Sequence, residues 1–125
     1  MKSLLSRMVV SLEGSRALLY RVSALVDRNT AIQAALARET SLSEAERAEL
    51  GRSFERNQTQ IRLFTPLAKY LATESCDSIT RDAIQVHGGI GFMAESTVGK
   101  LHLDGIITTI YEGTTGIQAN DLVGR

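Results

Sequence analysis

Cysteine and proline each occur once in this chain, and tryptophan not at all. A lone Cys76 excludes an internal disulfide. It reads as a small core residue rather than a nucleophile. Without a disulfide framework, a cytoplasmic location is the default expectation. Net charge is also missing, because 14 basic residues balance 14 acidic ones. That excludes the basic excess of a general nucleic-acid binder and leaves no polybasic membrane patch. No apolar run approaches the roughly 20 residues that span a bilayer, so no membrane insertion is expected. The opening MKSLLSRMVVSLEGSR is interrupted too often by polar residues to be a secretory signal. Histidine is scarce, and His87 and His102 come without the CxxC or HxxE spacing of a metal site. No metal is expected, and each histidine reads as structural. No nucleophile elbow accompanies them.

What is present is 125 residues, about one domain, with 43% hydrophobic and 22% charged residues. Most of the ten glycines fall after residue 87. Long stretches without glycine or proline favour helix. The chain therefore reads as a helical body with a glycine-rich, loop-containing end.

Residues 2–37 read as one long helix with a stripe of Leu5, Met8, Val9, Leu12, Leu19, Val22 and Val26. TSLSEAE, residues 40–46, is a helix start, with Ser43 and Glu46 at capping-box spacing. The segment from there to Leu63 is polar and reads as a solvated helix that Gly51 can break. Thr65-Pro66 is read as the cap and first turn of a second strong helix over 66–86. Its stripe is Leu67, Tyr70, Leu71, Cys76 or Asp77, Ile79 and Ala83. His87-Gly88-Gly89-Ile90-Gly91-Phe92 reads as a helix end and tight turn. A shorter helix is expected over 96–107 and a last one from Thr114 or Thr115, with Thr115 and Gln118 at capping-box spacing. IITTIY, residues 106–111, has strand-like composition but no strand to pair with. The fold class is all-α, an antiparallel helical bundle of four-helix type.

Two motifs bear on chemistry. GGIGF fails as a dinucleotide fingerprint, because position 94 is alanine and no strand precedes it. IYEGTTGIQ, residues 110–118, places Glu112 between an aromatic ring and a glycine. In a partly dry cleft its carboxylate would be a stronger base. Gly113 would let a ligand approach the backbone, and the following helix start offers N–H groups. An acid before a helix also serves simply as a partner for the helix dipole. The pattern alone leaves both readings open.

AIQVHGGIGFMAE, followed by VGKLHLDGIITTIYEGTTGIQANDLVGR, resembles the C-terminal helical domain of the acyl-CoA dehydrogenase family. SLEGSRALLY and FTPLAKYLATE upstream are similar to the subgroup that includes 3-methylmercaptopropionyl-CoA dehydrogenases. The resemblance covers residues 1–125 as one domain. It implies that the family's N-terminal helical and middle β domains are not in this chain, and that the isolated piece is inactive. The implied reaction is α,β-dehydrogenation of an acyl-CoA thioester to the trans-2-enoyl-CoA, with FAD accepting hydride and Glu112 as base. By matching position, Gln85, Val86, His87, Gly88 and Gly89 would contact the FAD of a neighbouring subunit. Thr114, Thr115 and Gly116 would form a second FAD segment, and Gly113 would touch substrate. The implied partners are acyl-CoA, an electron-transfer flavoprotein and further copies of the chain. An acyl-CoA oxidase, or a helical self-association module without chemistry, are the alternatives. Leu103-Asp104 departs from the family's usual Arg-Asp, so a buried ion pair is not expected there.

Overall fold

The computed structural model describes residues 1–38 and 41–124. They form five α-helices and one 3₁₀ turn: α1 (Lys2–Arg38), α2 (Glu44–His87), α3 (Gly89–Phe92), α4 (Thr97–Ile106), the turn Ile107–Thr109, and α5 (Thr115–Val123). No strand occurs among the described residues, so IITTIY is helical turn, not sheet.

α1 and α2 lie antiparallel along their whole length. Partners on α2 descend as residues on α1 ascend. Arg7 makes a forked ion pair with Asp82, its Nη2 lying 2.6 Å from Oδ2. The Ser15 hydroxyl bonds Ser75 at 3.2 Å, and Arg21 reaches Gln60 at 3.0 Å. Asn29 donates to the Phe54 carbonyl and to Gln58, and accepts from Asn57 at 3.0 Å.

The seam of α1 runs through Leu4, Met8, Ser11, Ser15, Leu18, Val22, Leu25, Asn29, Ile32 and Leu36, all buried or half-buried. Steps of three and four sustained over five heptads are the spacing of a left-handed coiled coil. This corrects the expected stripe. Only Met8 and Val22 of that set lie on the seam. Leu5, Val9, Leu12, Leu19 and Val26 form the next row and are exposed, Val9 by 58% and Leu12 by 49%. The seam carries small polar residues that make hydrogen bonds, so counting hydrophobic residues selects its neighbour.

The second correction is α2, which is one helix of 44 residues rather than a solvated helix and a second helix from Pro66. Its start is as expected. Ser43 Oγ accepts from the Glu46 N–H, and the Glu46 carboxylate accepts from the Ser43 N–H at 2.8 Å. The Ser43 hydroxyl, and then its backbone N–H, hold the Glu46 carboxyl below its ordinary range. The reciprocal cap is therefore complete above that range and is lost as pH falls through the depressed value. Thr40, at the head of that stretch, lies outside the described residues. Gly51 stays helical at a cost of about 1 kcal/mol. Pro66 also stays helical, although proline costs about 3 kcal/mol in a helix interior. Its ring is fully buried, and α1 packs on both sides of it along α2. Thr65 does not cap, and its hydroxyl donates to the Ile61 carbonyl at 2.7 Å. Continuous packing thus overrides local propensity.

α3, α4 and α5 pack on the C-terminal half of α2. Gly105 sets the closeness of α4, since a Cβ there would lie 3.2 Å from Cys76 Sγ. Cys76 is half-buried at that crossing, a packing residue as expected. Gly91 is tighter still, where a Cβ would meet the Ile84 carbonyl at 2.9 Å.

Removing the polar knot at Asn29 tests the seam. Asn29→Ala would leave the Asn57 amide without its acceptor in the seam. We expect a stability loss of about 1–3 kcal/mol by denaturant unfolding. A change within 0.5 kcal/mol would mean that water replaces those bonds freely.

Candidate functional site

The loop between α4 and α5 is built from threonines and glycines. Thr108 and Thr109 hydroxyls bond back to the carbonyls of Gly105 and Ile106, at 2.6 and 2.8 Å. Ile110 and Tyr111 N–H groups both bond the Ile107 carbonyl. The chain must then reverse into α5 within a few residues. It does so through two successive positive φ angles, 52° at Glu112 and 94° at Gly113. Glu112 is the only non-glycine residue with positive φ among those described. That conformation costs an L-residue about 1–2 kcal/mol. Gly113 is the more constrained of the two, because a side chain at φ 94° is strained whatever the space around it.

Side chains from α2 and α5 hold the loop in this form. Lys69 Nζ donates to the Tyr111 carbonyl at 2.5 Å and also to the Gly113 carbonyl. The same ammonium lies 5.7 Å from the Tyr111 ring centroid, within cation–π range. Gln118 Nε2 reaches the Glu112 carbonyl at 3.5 Å. Thr115 Oγ1 donates to Glu74 Oε1 at 2.6 Å. The cap of α5 is Thr114, whose hydroxyl accepts from the Ile117 N–H at 3.3 Å. This corrects the Thr115–Gln118 capping box: Thr115 is already inside the helix and is spent on Glu74.

Glu112 and Tyr111 are both exposed. The described residues therefore supply no dry cleft around the carboxylate, and any such wall must come from elsewhere. The N–H groups of Thr115 and Gly116 lie in the first turn of α5, where the helix itself offers no acceptor. Together with Thr114 they form a small donor array beside Glu112.

The second expected segment is elsewhere. Gln85, Val86 and His87 end α2, and Gly88 leaves it with φ 63°. Gln85, His87, Gly88 and Gly89 are exposed, Val86 is half-buried, and open space surrounds the Cα atoms of both glycines. Gln85 lies eleven residues beyond Glu74 on α2, which is about 16 Å along a helix. The structure thus does not bring residues 85–89 and 112–116 into one pocket. Beyond the expected turn, Gly89–Phe92 forms one helical turn.

Of the remaining residues singled out by sequence, His102 has structural partners. His102 Nδ1 lies 2.9 Å from the Thr80 hydroxyl and 3.7 Å from Asp77. No cluster of metal-ligating residues occurs among those described. Leu103 and Asp104 are exposed, and Leu103 lines an open cavity of about 310 Å³ with Ile84, Phe92 and Met93. No described helix is long and apolar enough to cross a membrane. Sequence reading did not single out Lys69 and Glu74. They stand in FTPLAKYLATE on α2, where Lys69 bonds the loop and Glu74 bonds the first turn of α5.

Residues 29–125 match the family model described as acyl-CoA dehydrogenase, C-terminal domain. This chain belongs to the acyl-CoA dehydrogenase family. It is 44% identical over 68 residues to 3-methylmercaptopropionyl-CoA dehydrogenase of Ruegeria pomeroyi, covering 54% of this chain and 12% of the relative. A putative acyl-CoA dehydrogenase of Escherichia coli, AidB, is 30% identical over 123 residues, covering 98% of this chain and 18% of the relative. A caffeyl-CoA reductase-Etf complex subunit of Acetobacterium woodii is 42% identical over 52 residues, covering 42% and 14%. The chain thus spans less than a fifth of the length of these curated relatives. No solved structure matches significantly. Membership bears out the all-α fold.

Proposed function

We propose that this chain is the C-terminal domain of an FAD-dependent acyl-CoA dehydrogenase in which Glu112 takes the α-proton of the substrate. The observation that carries the reading is Glu112 itself. It is an exposed carboxylate held at positive φ in the family's IYEGT segment, beside unpaired helix N–H groups. Backbone strain at an accessible acid is characteristic of functional sites rather than of turns chosen for stability.

Bound FAD would supply the acceptor for the hydride that leaves the β-carbon. The residues of this chain would carry the proton transfer. The Glu112 carboxylate removes the α-proton and keeps it as the carboxylic acid. Its own N–H stabilises the charge that develops on the thioester oxygen. Gly113 brings backbone close to the acyl group. The donor array of Thr114, Thr115 and Gly116 suits a polar, oxygen-rich stretch of the flavin. Exposed backbone at Gly88 and Gly89, with Gln85, Val86 and His87, suits contact with the FAD of another subunit, as the resemblance implies. An electron-transfer flavoprotein would then reoxidise the enzyme.

The test uses a fusion in which this chain replaces the matching C-terminal segment of the Ruegeria pomeroyi relative. In heavy water, the fusion should exchange the α-hydrogens of a bound thioester that cannot be oxidised. The Glu112→Gln form should not. Equal exchange in both would assign the base to another residue.

Self-association has its own observation. The described chain exposes 8590 Å². A compact monomer of 13.6 kDa exposes about 6,600 Å². The excess of roughly 2,000 Å² per chain is more than the about 800 Å² per partner that a stable interface buries. The exposed row of Leu5, Val9, Leu12, Leu19 and Val26 contributes to it. Sedimentation of the chain should show a dimer or larger species at micromolar concentration. A monomer that persists at ten times that concentration would mean that other parts of a longer protein cover this face.

A further inference from the structure

The Lys69 ammonium holds two carbonyls that bracket Glu112, and trans-peptide geometry turns this into control of an N–H direction. No cis peptide occurs among the described residues. In a trans peptide the C=O and the following N–H point in opposite directions. The Tyr111 carbonyl is fixed on Lys69, so the Glu112 N–H points away from the ammonium. The Gly113 carbonyl is fixed on the same ammonium, so the Thr114 N–H also points away. The Glu112 N–H makes no backbone hydrogen bond among the described residues and is free to bind a ligand. We propose that Lys69 is a positioning residue that aims the Glu112 N–H at the substrate and keeps Glu112 at positive φ. This rests on the reading of Glu112 as the base and deepens it.

Nothing else around the loop can do this work. Gln118 reaches only the Glu112 carbonyl, at a long 3.5 Å. Glu74 acts one residue beyond the Thr114 cap, through the Thr115 hydroxyl. Neither touches the peptide between Tyr111 and Glu112, whose N–H is the donor in question. Lys69 has donors to spare for two carbonyls, and its charge makes both bonds stronger than neutral ones. The Tyr111 ring closes a third side of the ammonium. Lysine at this place is therefore more than a solvated charge on α2.

The first measurement is amide NMR on the 125-residue chain. Lys69→Met should move the Glu112, Gly113 and Thr114 amide resonances and weaken exchange protection at Ile117, while Leu25 and Asn29 in the α1–α2 seam stay unchanged. Lys69→Arg should restore part of the native pattern. Unmoved resonances at 112–114 in Lys69→Met would overturn the proposal. The second measurement is kinetic, in the fusion. Lys69→Met should lower kcat about a hundredfold with little change in KM, as expected for a misplaced transition-state donor. If Glu112→Gln is inactive and Lys69→Met turns over normally, the positioning role fails alone. If Glu112→Gln stays active, the reading of the base fails instead.

Discussion

Expressed alone, the 125-residue chain should purify without flavin colour and reduce no dye with any acyl-CoA, at least about 10⁵-fold below a flavin-loaded fusion. The reason is geometric. A general base works only when the proton that it takes lies within hydrogen-bond reach. Glu112 stands exposed on a loop, and the described residues supply no wall to hold an acyl thioester against it. The two segments expected to contact FAD are separated by about 16 Å of α2 or more, and each is an open surface. Holding two reactants in register is worth roughly 7–11 kcal/mol of barrier, all of which is forfeited here. Absorbance between 350 and 500 nm and dye reduction with a series of acyl chain lengths are the measurements. Bound flavin together with turnover would show that the described helices form a complete site by self-assembly.

How far the sequence could be read depended on whether local or tertiary physics decided the point. The Ser43–Glu46 cap is a four-residue matter, and it formed as written. The first helix was legible from end to end, because 37 residues without proline leave little else to do. Its buried face was not legible. Ser15 and Asn29 sit on the seam because partners on α2 satisfy them, and those partners are 25 to 60 residues away. Pro66 misled for a related reason. Its local signal is strong, yet α1 packs across it and keeps α2 continuous. The candidate site shows the same division. Glu112, Gly113 and the start of α5 are written in consecutive residues and were readable. Lys69 and Glu74 act on the loop from about forty residues away, and no periodicity marks a lysine that binds carbonyls. The resemblance contributed what spacing could not, the role proposed for Glu112. It was silent on what holds Glu112 in place.

Glu112→Gln in the fusion should keep its flavin and lose turnover by roughly 10²–10⁴-fold, the usual worth of a positioned proton acceptor. Glutamine is close to glutamate in shape, so the bracket on the loop should survive the exchange. Lys69 binds the carbonyls of Tyr111 and Gly113, and Gln118 binds that of residue 112. None of these bonds uses the side-chain carboxylate. The backbone N–H at position 112 would thus remain aimed, and thioester affinity should change little. What disappears is the basic oxygen, so kcat should fall while KM holds. Glu112→Asp separates chemistry from reach. It keeps a carboxylate but withdraws it by one methylene, and a displacement near 1 Å can cost about a hundredfold. The expected order of kcat is therefore native, then Asp, then Gln, at constant flavin content per chain. Gln equal to native would move the base to another residue and leave Glu112 as a partner for the dipole of α5. Loss of flavin in the Gln form would mean that the carboxylate is a cofactor contact, and that its role in proton transfer had been misassigned.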